Sequence, residues 1–159
     1  MKAAVLTVSD RVSRGDAEDT SGDELVRSLR ADGYDVDRRV VPDEATLIAA
    51  AIAELAGAAS VVLTTGGTGV APRDVTPEAT RSVLEREVPG IAEALRATSA
   101  AKTPHGLLSR GTAGIVGGAL VVNLPGSPGG CRDGYALIRP ALPHALALIA
   151  GEPTEHQQT

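Results

Sequence analysis

The sequence predicts a three-layer α/β/α domain built on a mostly parallel sheet with an added antiparallel hairpin strand. Short apolar runs typical of buried strands alternate along the chain with longer segments whose apolar residues recur at helical spacing. The 159 residues are 43% apolar but include no Phe or Trp and two Tyr, so Ala, Val, Leu and Ile must fill the core. A chain of this length buries roughly two thirds of its unfolded surface. One domain over residues 1–152 is therefore expected, followed by a polar tail over residues 153–159.

The first strand and helix are predicted close to the amino terminus. Residues 3–8 are apolar nearly throughout, as expected of a strand that is covered on both faces. A polar loop follows, in which Ser21 and Glu24 have capping-box spacing. This spacing predicts a helix over residues 22–31 that ends at Gly33.

The next strand–helix–strand unit runs to residue 63. Residues 34–41 begin with alternating apolar and charged residues, which is typical of a strand near the edge of a sheet. A helix is predicted over residues 44–56 from its apolar spacing, with Asp43 as a candidate N-cap. The apolar run at residues 60–63 is bounded by turn formers and predicts a buried third strand.

The second half of the chain is predicted to contain further helices and a hairpin. Helices are expected over residues 78–86 and 90–101. Apolar runs on both sides of a Gly-Gly pair at positions 117–118 predict a hairpin, so an antiparallel strand joins the sheet. Residues 135–150 have helical spacing, but two prolines predict that this helix is kinked or broken.

A glycine-rich loop, Thr-Thr-Gly-Gly-Thr-Gly at residues 64–69, follows the third strand. Its glycines let the backbone adopt positive φ and bring N–H groups close to an anion. Asp74 closes the loop, and Thr76 and Pro77 are predicted as the N-cap and first residue of the next helix. Neither the dinucleotide fingerprint nor the P-loop motif is present here. The combination of loop, carboxylate and helix N-terminus predicts an anion and metal site.

A second glycine-rich loop, Asn-Leu-Pro-Gly-Ser-Pro-Gly-Gly at residues 123–130, also lies between a strand and a helix. In an open α/β sheet, ligands bind beyond the carboxyl ends of the strands. Residues 9–14, Asp43 and both glycine-rich loops each follow a predicted strand, so they should converge on one crevice. Two such loops predict two phosphate-bearing groups, and two aspartates predict a divalent cation, with Mg²⁺ as the oxygen-preferring choice.

Composition limits the partners and the location of the protein. The net charge of −5 and the absence of a basic run argue against nucleic acid as a partner. A single Cys excludes an internal disulfide and a cysteine zinc cluster. The apolar run at the start is too short for a signal peptide, and no stretch is long enough to span a membrane. Cytoplasmic localisation is therefore expected.

The loop at residues 64–69 and the string Arg-Asp-Val-Thr-Pro at residues 73–77 resemble the MogA/MoaB family of molybdenum cofactor biosynthesis proteins, which share their fold with the gephyrin G domain. Pro-Asp-Glu at residues 42–44 and Leu-Pro-Gly-Ser-Pro-Gly-Gly at residues 124–130 match the same family, and the likeness runs from about residue 6 to residue 133. The resemblance implies Mg-ATP-dependent transfer of AMP to the terminal phosphate of molybdopterin, with release of pyrophosphate.

The resemblance also implies roles for individual residues. Asp43 and Asp74 would be the catalytic and metal-associated pair. The residues implied in binding substrate or phosphate are Ser9, Arg11, Thr65, Gly66, Gly67, Thr68, Gly69, Asn123, Pro125, Gly126 and Ser127. Which glycine-rich loop holds ATP and which holds molybdopterin is left open. A homotrimer and transient contact with a molybdenum insertase are further expectations from the family.

Other functions fit parts of the same pattern. A non-catalytic MoaB-type protein that binds molybdopterin or serves as a scaffold would carry the same motifs. A MoeA-type insertase requires a longer chain, and a CinA-type pyrophosphatase has a different glycine loop, so both are disfavoured. His105 is a candidate acid or base by residue type alone and is expected to lie in a loop without a catalytic role. Cys131 is expected to be a small packed residue.

Overall fold

The computed structural model describes residues 1–153 and contains a six-stranded sheet in the order β2-β1-β3-β6-β5-β4. The strands are β1 (Lys2–Val8), β2 (Asp35–Val41), β3 (Val61–Thr65), β4 (Arg86–Glu87), β5 (Ala113–Val116) and β6 (Ala119–Leu124). β1 is parallel to β2 and to β3, and β3 is parallel to β6. β5 is antiparallel to both β6 and β4. The predicted mostly parallel sheet with an antiparallel hairpin is therefore confirmed.

Helices cover both faces of this sheet. They are α1 (Asp10–Ser13), α2 (Thr20–Ala31), α3 (Ala45–Ala56), α4 (Thr76–Val83), α5 (Pro89–Lys102), α6 (Pro128–Ile138) and α7 (Leu142–Ile149). Buried residues of α2, α6 and α7 pack on one face, and those of α3 and α4 pack on the other. The two separate apolar cores confirm the three-layer architecture.

β1 shows why a short apolar run could be recognised as a strand. Ala3 and Val5 belong to the core under α2, whereas Ala4 and Leu6 belong to the core under α3, because successive side chains alternate between faces. All four are at most 1% exposed. A strand buried on both faces must be apolar at every position. β2, which was predicted near an edge, does form one edge of the sheet.

Two predicted helix starts in the first half are wrong. Asp19 rather than Ser21 caps α2, because the Asp19 carboxylate accepts a hydrogen bond from the Gly22 N–H at 2.9 Å. Asp43 does not cap α3, whose N-cap is Glu44 without a side-chain hydrogen bond. The Asp43 side chain is therefore free for contacts outside the helix.

The start of α4 is also shifted by one residue. The N-cap is Val75, and Thr76 is the first helical residue. The Thr76 hydroxyl donates instead to the carbonyl of Gly66 at 2.9 Å. This bond ties the helix to the glycine-rich loop ten residues earlier.

The later elements differ from prediction around β4 and at the last helical segment, which was predicted over residues 135–150 but begins at Pro128. The helix predicted over residues 78–86 ends at Val83, and β4 was not predicted. The last helical segment is broken, as predicted, by a 3₁₀ turn at Arg139–Ala141. No helix within residues 1–153 is long and apolar enough to cross a membrane. Residues 154–159 of the expected tail lie outside the described part of the chain.

Candidate active site at the carboxyl ends of the parallel strands

The loops that follow β1, β2, β3 and β6 meet at one edge of the sheet. The parallel register places Val8 beside Val41, and Thr65 beside both Thr7 and Leu124, so the four strands end together. A cleft of about 350 Å³ opens at this edge. The sequence-predicted residues that line it are Ser9, Arg11, Asp43, Thr65, Gly66, Gly67, Asp74 and Gly126. The structure thus brings both aspartates and both glycine-rich loops to one place.

A second cavity of about 410 Å³ continues this cleft along the glycine-rich loops. It shares Gly67, Asp74 and Gly126 with the first. Its other sequence-predicted residues are Thr68, Gly69, Pro125 and Ser127. The combined space is in the size range of ligand sites.

A side chain at position 66 or 67 would clash with neighbouring atoms, which differ between the two positions. Gly66 has φ of 96°, and a Cβ there would lie 2.2 Å from the carbonyl oxygen of Val8. Gly67 has φ of 65°, and a Cβ there would lie 2.4 Å from the Thr76 hydroxyl and 3.1 Å from Oδ1 of Asp43. The first loop is therefore pressed against the end of β1 and against one candidate metal ligand.

The second glycine-rich loop is fixed to the first. The buried Thr65 hydroxyl donates to the carbonyl of Pro125 at 2.7 Å. A Cβ on Gly126 would lie 3.3 Å from the Cα of Gly66, so the two loops are in contact. Ser127 caps α6 by accepting from the Gly130 N–H at 3.1 Å. The N-terminus of α6 therefore faces the same cleft and adds partial positive charge there.

Asp43 is held by a reciprocal pair of hydrogen bonds. Its Oδ2 accepts from the backbone N–H of Asp10 at 2.8 Å, and its own N–H donates to Oδ1 of Asp10 at 3.0 Å. Burial raises the pKa of the Asp43 carboxyl above its ordinary value, and the negative charges of Asp10 and Asp74 act in the same direction. A nearby cation would therefore stabilise the ionised form of the Asp43 carboxyl.

Asp74 is held through its backbone as well as its side chain. Oδ2 accepts from the Ala71 N–H at 3.0 Å, which closes the end of the glycine-rich loop. The Asp74 carbonyl accepts from Nη2 of Arg110 at 2.6 Å. Gly69 lies so close that a Cβ there would come within 2.8 Å of the Asp74 carboxylate.

These two aspartates fit a Mg²⁺ ion that is bound together with substrate. In each carboxylate, Oδ2 accepts a backbone hydrogen bond, whereas Oδ1 accepts none from the residues that the structure describes. Mg²⁺ is typically held by one or two carboxylates, substrate phosphates and water. Within residues 1–153 no group of three or more His, Cys, Asp and Glu side chains could hold a metal by itself. Phosphate oxygens would therefore have to complete the coordination.

Two other predicted residues, Ser9 and Asn123, have defined structural partners. Ser9 caps α1 by accepting from the Val12 N–H at 3.2 Å. Asn123 is 3% exposed and lines a third cavity, between α5 and α6. Its amide donates to the Thr64 and Thr80 hydroxyls and accepts from the Thr112 N–H. Asn123 thus links β3, α4 and the start of β5, and its role in binding substrate stays a prediction.

Sequence reasoning assigned no role to several residues that shape the cleft. Asp19 lies in its wall and accepts from the Thr7 hydroxyl at 2.6 Å and from Arg38 at 2.7 Å. Burial by itself raises the pKa of Asp19, but these bonds and that from Gly22 lower it overall. Asp10 and Arg110 were missed as well. The only sequence signal for Asp10 was its position in the polar loop just after β1, and Arg110 lies in a segment to which no role was assigned.

His105 and Cys131 were predicted to lie in a loop and in the packed interior, respectively. His105 is exposed, in a 3₁₀ turn at Pro104–Leu108 on the rim of the second cavity. Cys131 is fully buried, and its thiol donates to Thr65. Burial raises the pKa of the Cys131 thiol to about 11. A thiol in this state is a poor nucleophile at neutral pH.

Comparisons with known proteins show which family the chain resembles. A family model described as "Probable molybdopterin binding domain" matches residues 4–144. Molybdopterin adenylyltransferase from Helicobacter pylori is 39% identical over 92% of this chain and 86% of that protein. Gephyrin from Dictyostelium discoideum is 42% identical over 94% of this chain, which spans 22% of gephyrin. The crystal structure of the molybdopterin biosynthesis enzyme MoaB from Thermus thermophilus superposes on this chain with a TM-score of 0.86, and the two sequences are 46% identical. The match covers 96% of this chain and 98% of that one.

Proposed function

This chain belongs to the molybdopterin-binding domain family, and from that membership we propose that it is a molybdopterin adenylyltransferase. The reaction is transfer of AMP from ATP to the terminal phosphate of molybdopterin. A phosphate oxygen attacks the α-phosphorus of ATP, the α–β phosphoanhydride bond breaks, and pyrophosphate leaves. The names of relatives that match most of their own length support this activity.

The observation that carries the proposal is the convergence of two aspartates and two glycine-rich loops on one cleft. Transfer of a phosphoryl-type group depends mainly on positioning and on neutralisation of negative charge. Each of these tasks has a matching group in the cleft. Backbone N–H groups and hydroxyls of the loops would bind the phosphates, and the two carboxylates would bind a cation.

Different residues of the cleft would bind the cation and the phosphates. Asp43 and Asp74 would hold Mg²⁺ from two different loops and so fix the triphosphate between them. Gly67, Thr68 and Gly69 would contact phosphate oxygens, with Gly126 and Ser127 on the opposite wall. When bound, Mg²⁺ supplies charge neutralisation at the phosphate oxygens of ATP. The two loops pack closely at Gly66 and Gly126, which would keep the two substrate phosphates at a fixed separation.

The test is pyrophosphate release from a mixture of protein, Mg²⁺, ATP and molybdopterin. Release is expected from the unaltered protein, and Asp74→Asn is expected to lower its rate at least about 100-fold because a metal ligand is lost. Asp35→Asn is a matched control, since Asp35 is exposed at the opposite end of β2. It should release pyrophosphate at the unaltered rate.

A binding protein without catalysis remains the second candidate because it would use the same cleft. The two candidates differ in one result. Absence of pyrophosphate under conditions where molybdopterin demonstrably binds would remove the enzyme and leave the binding protein. A crystal soaked with MgATP would then show which glycine-rich loop holds the triphosphate.

The assembly and location of the protein are also part of the proposal. The family likeness favours a homotrimer in the cytoplasm that meets a molybdenum insertase transiently. Light scattering should give about three times the chain mass of 16.1 kDa. A mass near that of one chain would contradict the trimer.

A further inference from the structure

Asp10 lies between Asp43 and Arg73 and contacts both. The Arg73 guanidinium donates to its carboxylate from Nε at 2.6 Å and from Nη2 at 2.9 Å. The Asp10 backbone N–H donates to Oδ2 of Asp43, and its Oδ1 accepts from the Asp43 N–H. Three loops that follow three different strands are therefore joined through one side chain.

One ion pair compensates part of the negative charge in this group. The Arg73 guanidinium forms an ion pair with the Asp10 carboxylate at 2.6 Å. Asp10, Asp43 and Asp74 would otherwise bring three like charges together without compensation. Arg73 is adjacent to Asp74 in sequence and pairs with Asp10, whereas neither Asp43 nor Asp74 forms an ion pair within residues 1–153.

Asp10 also determines which oxygen of Asp43 is available. Asp10 is the first residue of α1, whose first N–H groups have no partner inside the helix. One of them is satisfied by Oδ2 of Asp43. Oδ1 is left on the side of Gly67, where the first glycine-rich loop turns. The hydrogen bonds therefore fix both the position and the rotation of the Asp43 carboxylate.

We propose that Asp10 is a positioning residue that holds Asp43, through their reciprocal hydrogen bonds, with one oxygen directed to the metal that binds with the nucleotide. This inference rests on the proposed function and extends it to a residue outside the implied ligand set. Groups that orient metal ligands typically contribute 10- to 100-fold to metal affinity or activity. Asp10 is expected to act at this level without touching substrate.

The experiment measures binding of a Mn²⁺–nucleotide complex with adenosine 5′-(α,β-methylene)triphosphate, whose α–β bridge cannot release pyrophosphate. Calorimetry gives the dissociation constant, and electron paramagnetic resonance gives bound Mn²⁺. Asp10→Ala keeps the backbone N–H that binds Oδ2 of Asp43 but removes the carboxylate that accepts from the Asp43 N–H and from Arg73, so it is expected to weaken binding about 10-fold or more. Asp10→Asn keeps an acceptor for the Asp43 N–H, so it should recover most of the affinity.

Asp16→Ala is the matched control. Asp16 lies in the same loop and pairs with an arginine, Arg14, at 3.1 Å, but its recorded side-chain contacts do not include Asp43. This variant should bind the complex like the unaltered protein. Equal affinity in Asp10→Ala and Asp16→Ala would overturn the inference, and so would an affinity of Asp10→Asn as poor as that of Asp10→Ala.

Turnover separates positioning from a general loss of structure. If Asp10 acts through the metal site, raising Mg²⁺ should restore most of the kcat of Asp10→Ala at a melting temperature near that of the unaltered protein. A deficit that persists at saturating Mg²⁺ would point to a merely structural role and overturn the inference. If the unaltered protein binds the Mn²⁺ complex but releases no pyrophosphate, the proposed function fails while the dissociation constants still decide the role of Asp10.

Discussion

Gly66 shows how a single backbone atom limits what the cleft tolerates. Its φ of 96° is unfavourable for any residue with a Cβ, and that Cβ would lie 2.2 Å from the carbonyl oxygen of Val8. This clash can be removed only by moving β1 or the loop, since the Val8 oxygen is a backbone atom and the position of Cβ is fixed by the backbone of residue 66. Gly66→Ala is therefore expected to lower the free energy of unfolding by about 3 kcal/mol or more, measured by urea denaturation.

Gly33 provides the matched control for this substitution. It has φ of 83°, but nothing lies within 4 Å of a Cβ built there. Gly33→Ala should therefore show only the conformational effect, about 1 kcal/mol. Similar losses for the two variants would mean that the contact with Val8 is easily relieved, and that the loop is less tightly packed than its geometry indicates.

The residues of the site differ in how far the sequence could predict them. The position of Asp43 and Asp74 in the cleft could be predicted because each follows a recognisable strand and lies in a family motif. Asp10 lies in a polar loop whose composition does not distinguish it from its neighbours. Its two partners are 33 and 63 positions away, so its role depends on contacts that only the folded chain creates.

At the level of elements, Arg110 connects the approach to β5 with the first glycine-rich loop and α4. Its backbone N–H donates to the carbonyl of Thr68 at 2.8 Å, and its Nε donates to that of Gly69 at 2.6 Å. Nη2 donates to the Asp74 carbonyl, and Nη1 pairs with Glu78 in the first turn of α4. One side chain therefore fixes both ends of the segment that carries Asp74.

Arg110→Ala would leave two carbonyls and one carboxylate without this partner. Hydrogen bonds that involve a charged group contribute about 1.5–3 kcal/mol each, and partial exposure of Arg110 reduces their sum. We expect a loss of about 2 kcal/mol in unfolding free energy. Amide exchange at Asp74 and Thr76, which donate to loop carbonyls, should become faster.

Arg81→Ala is the control on the same helix. Arg81 contacts Glu87 at 3.5 Å, and both side chains are about half exposed, so its loss should cost less than about 0.5 kcal/mol. It should leave amide exchange in the loop unchanged. Unchanged exchange in Arg110→Ala as well would show that the loop holds its shape without the guanidinium.

Helices and strands whose residues are buried were easier to predict from the sequence than exposed ones. β1 and β3 are buried at nearly every position, so their apolar runs identify them. β4 has two residues, both exposed, and exists because it pairs with β5. Nothing in its own sequence favours a strand. The start of α2 was misplaced because Ser21 and Asp19 are both good caps, and only the folded chain shows that Asp19 lies where it can accept from Gly22.

At the level of the whole molecule, charge opposes the binding of a free polyphosphate. The net charge is −5, and the first cavity is lined by Glu18, Asp19, Asp43 and Asp74 but by a single arginine, Arg11. Arg38 compensates Asp19 from the edge strand. The remaining carboxylates should repel ATP unless a divalent cation binds between them and the phosphates. Binding of ATP in this cleft should therefore depend on a divalent cation.

Thermal unfolding tests this dependence. A ligand present at 100 times its dissociation constant stabilises the folded state by about 2.7 kcal/mol, which corresponds to roughly 5–10 °C for a domain of this size. MgATP is expected to raise the melting temperature by about that amount, whereas ATP in EDTA should give a much smaller rise. In a variant with Asp43→Asn and Asp74→Asn, the effect of Mg²⁺ should disappear, and ATP in EDTA should stabilise at least as well as in the unaltered protein because two repelling charges are gone. Equal stabilisation of the unaltered protein by ATP with and without Mg²⁺ would show that the glycine-rich loops bind the phosphates without help from the aspartates.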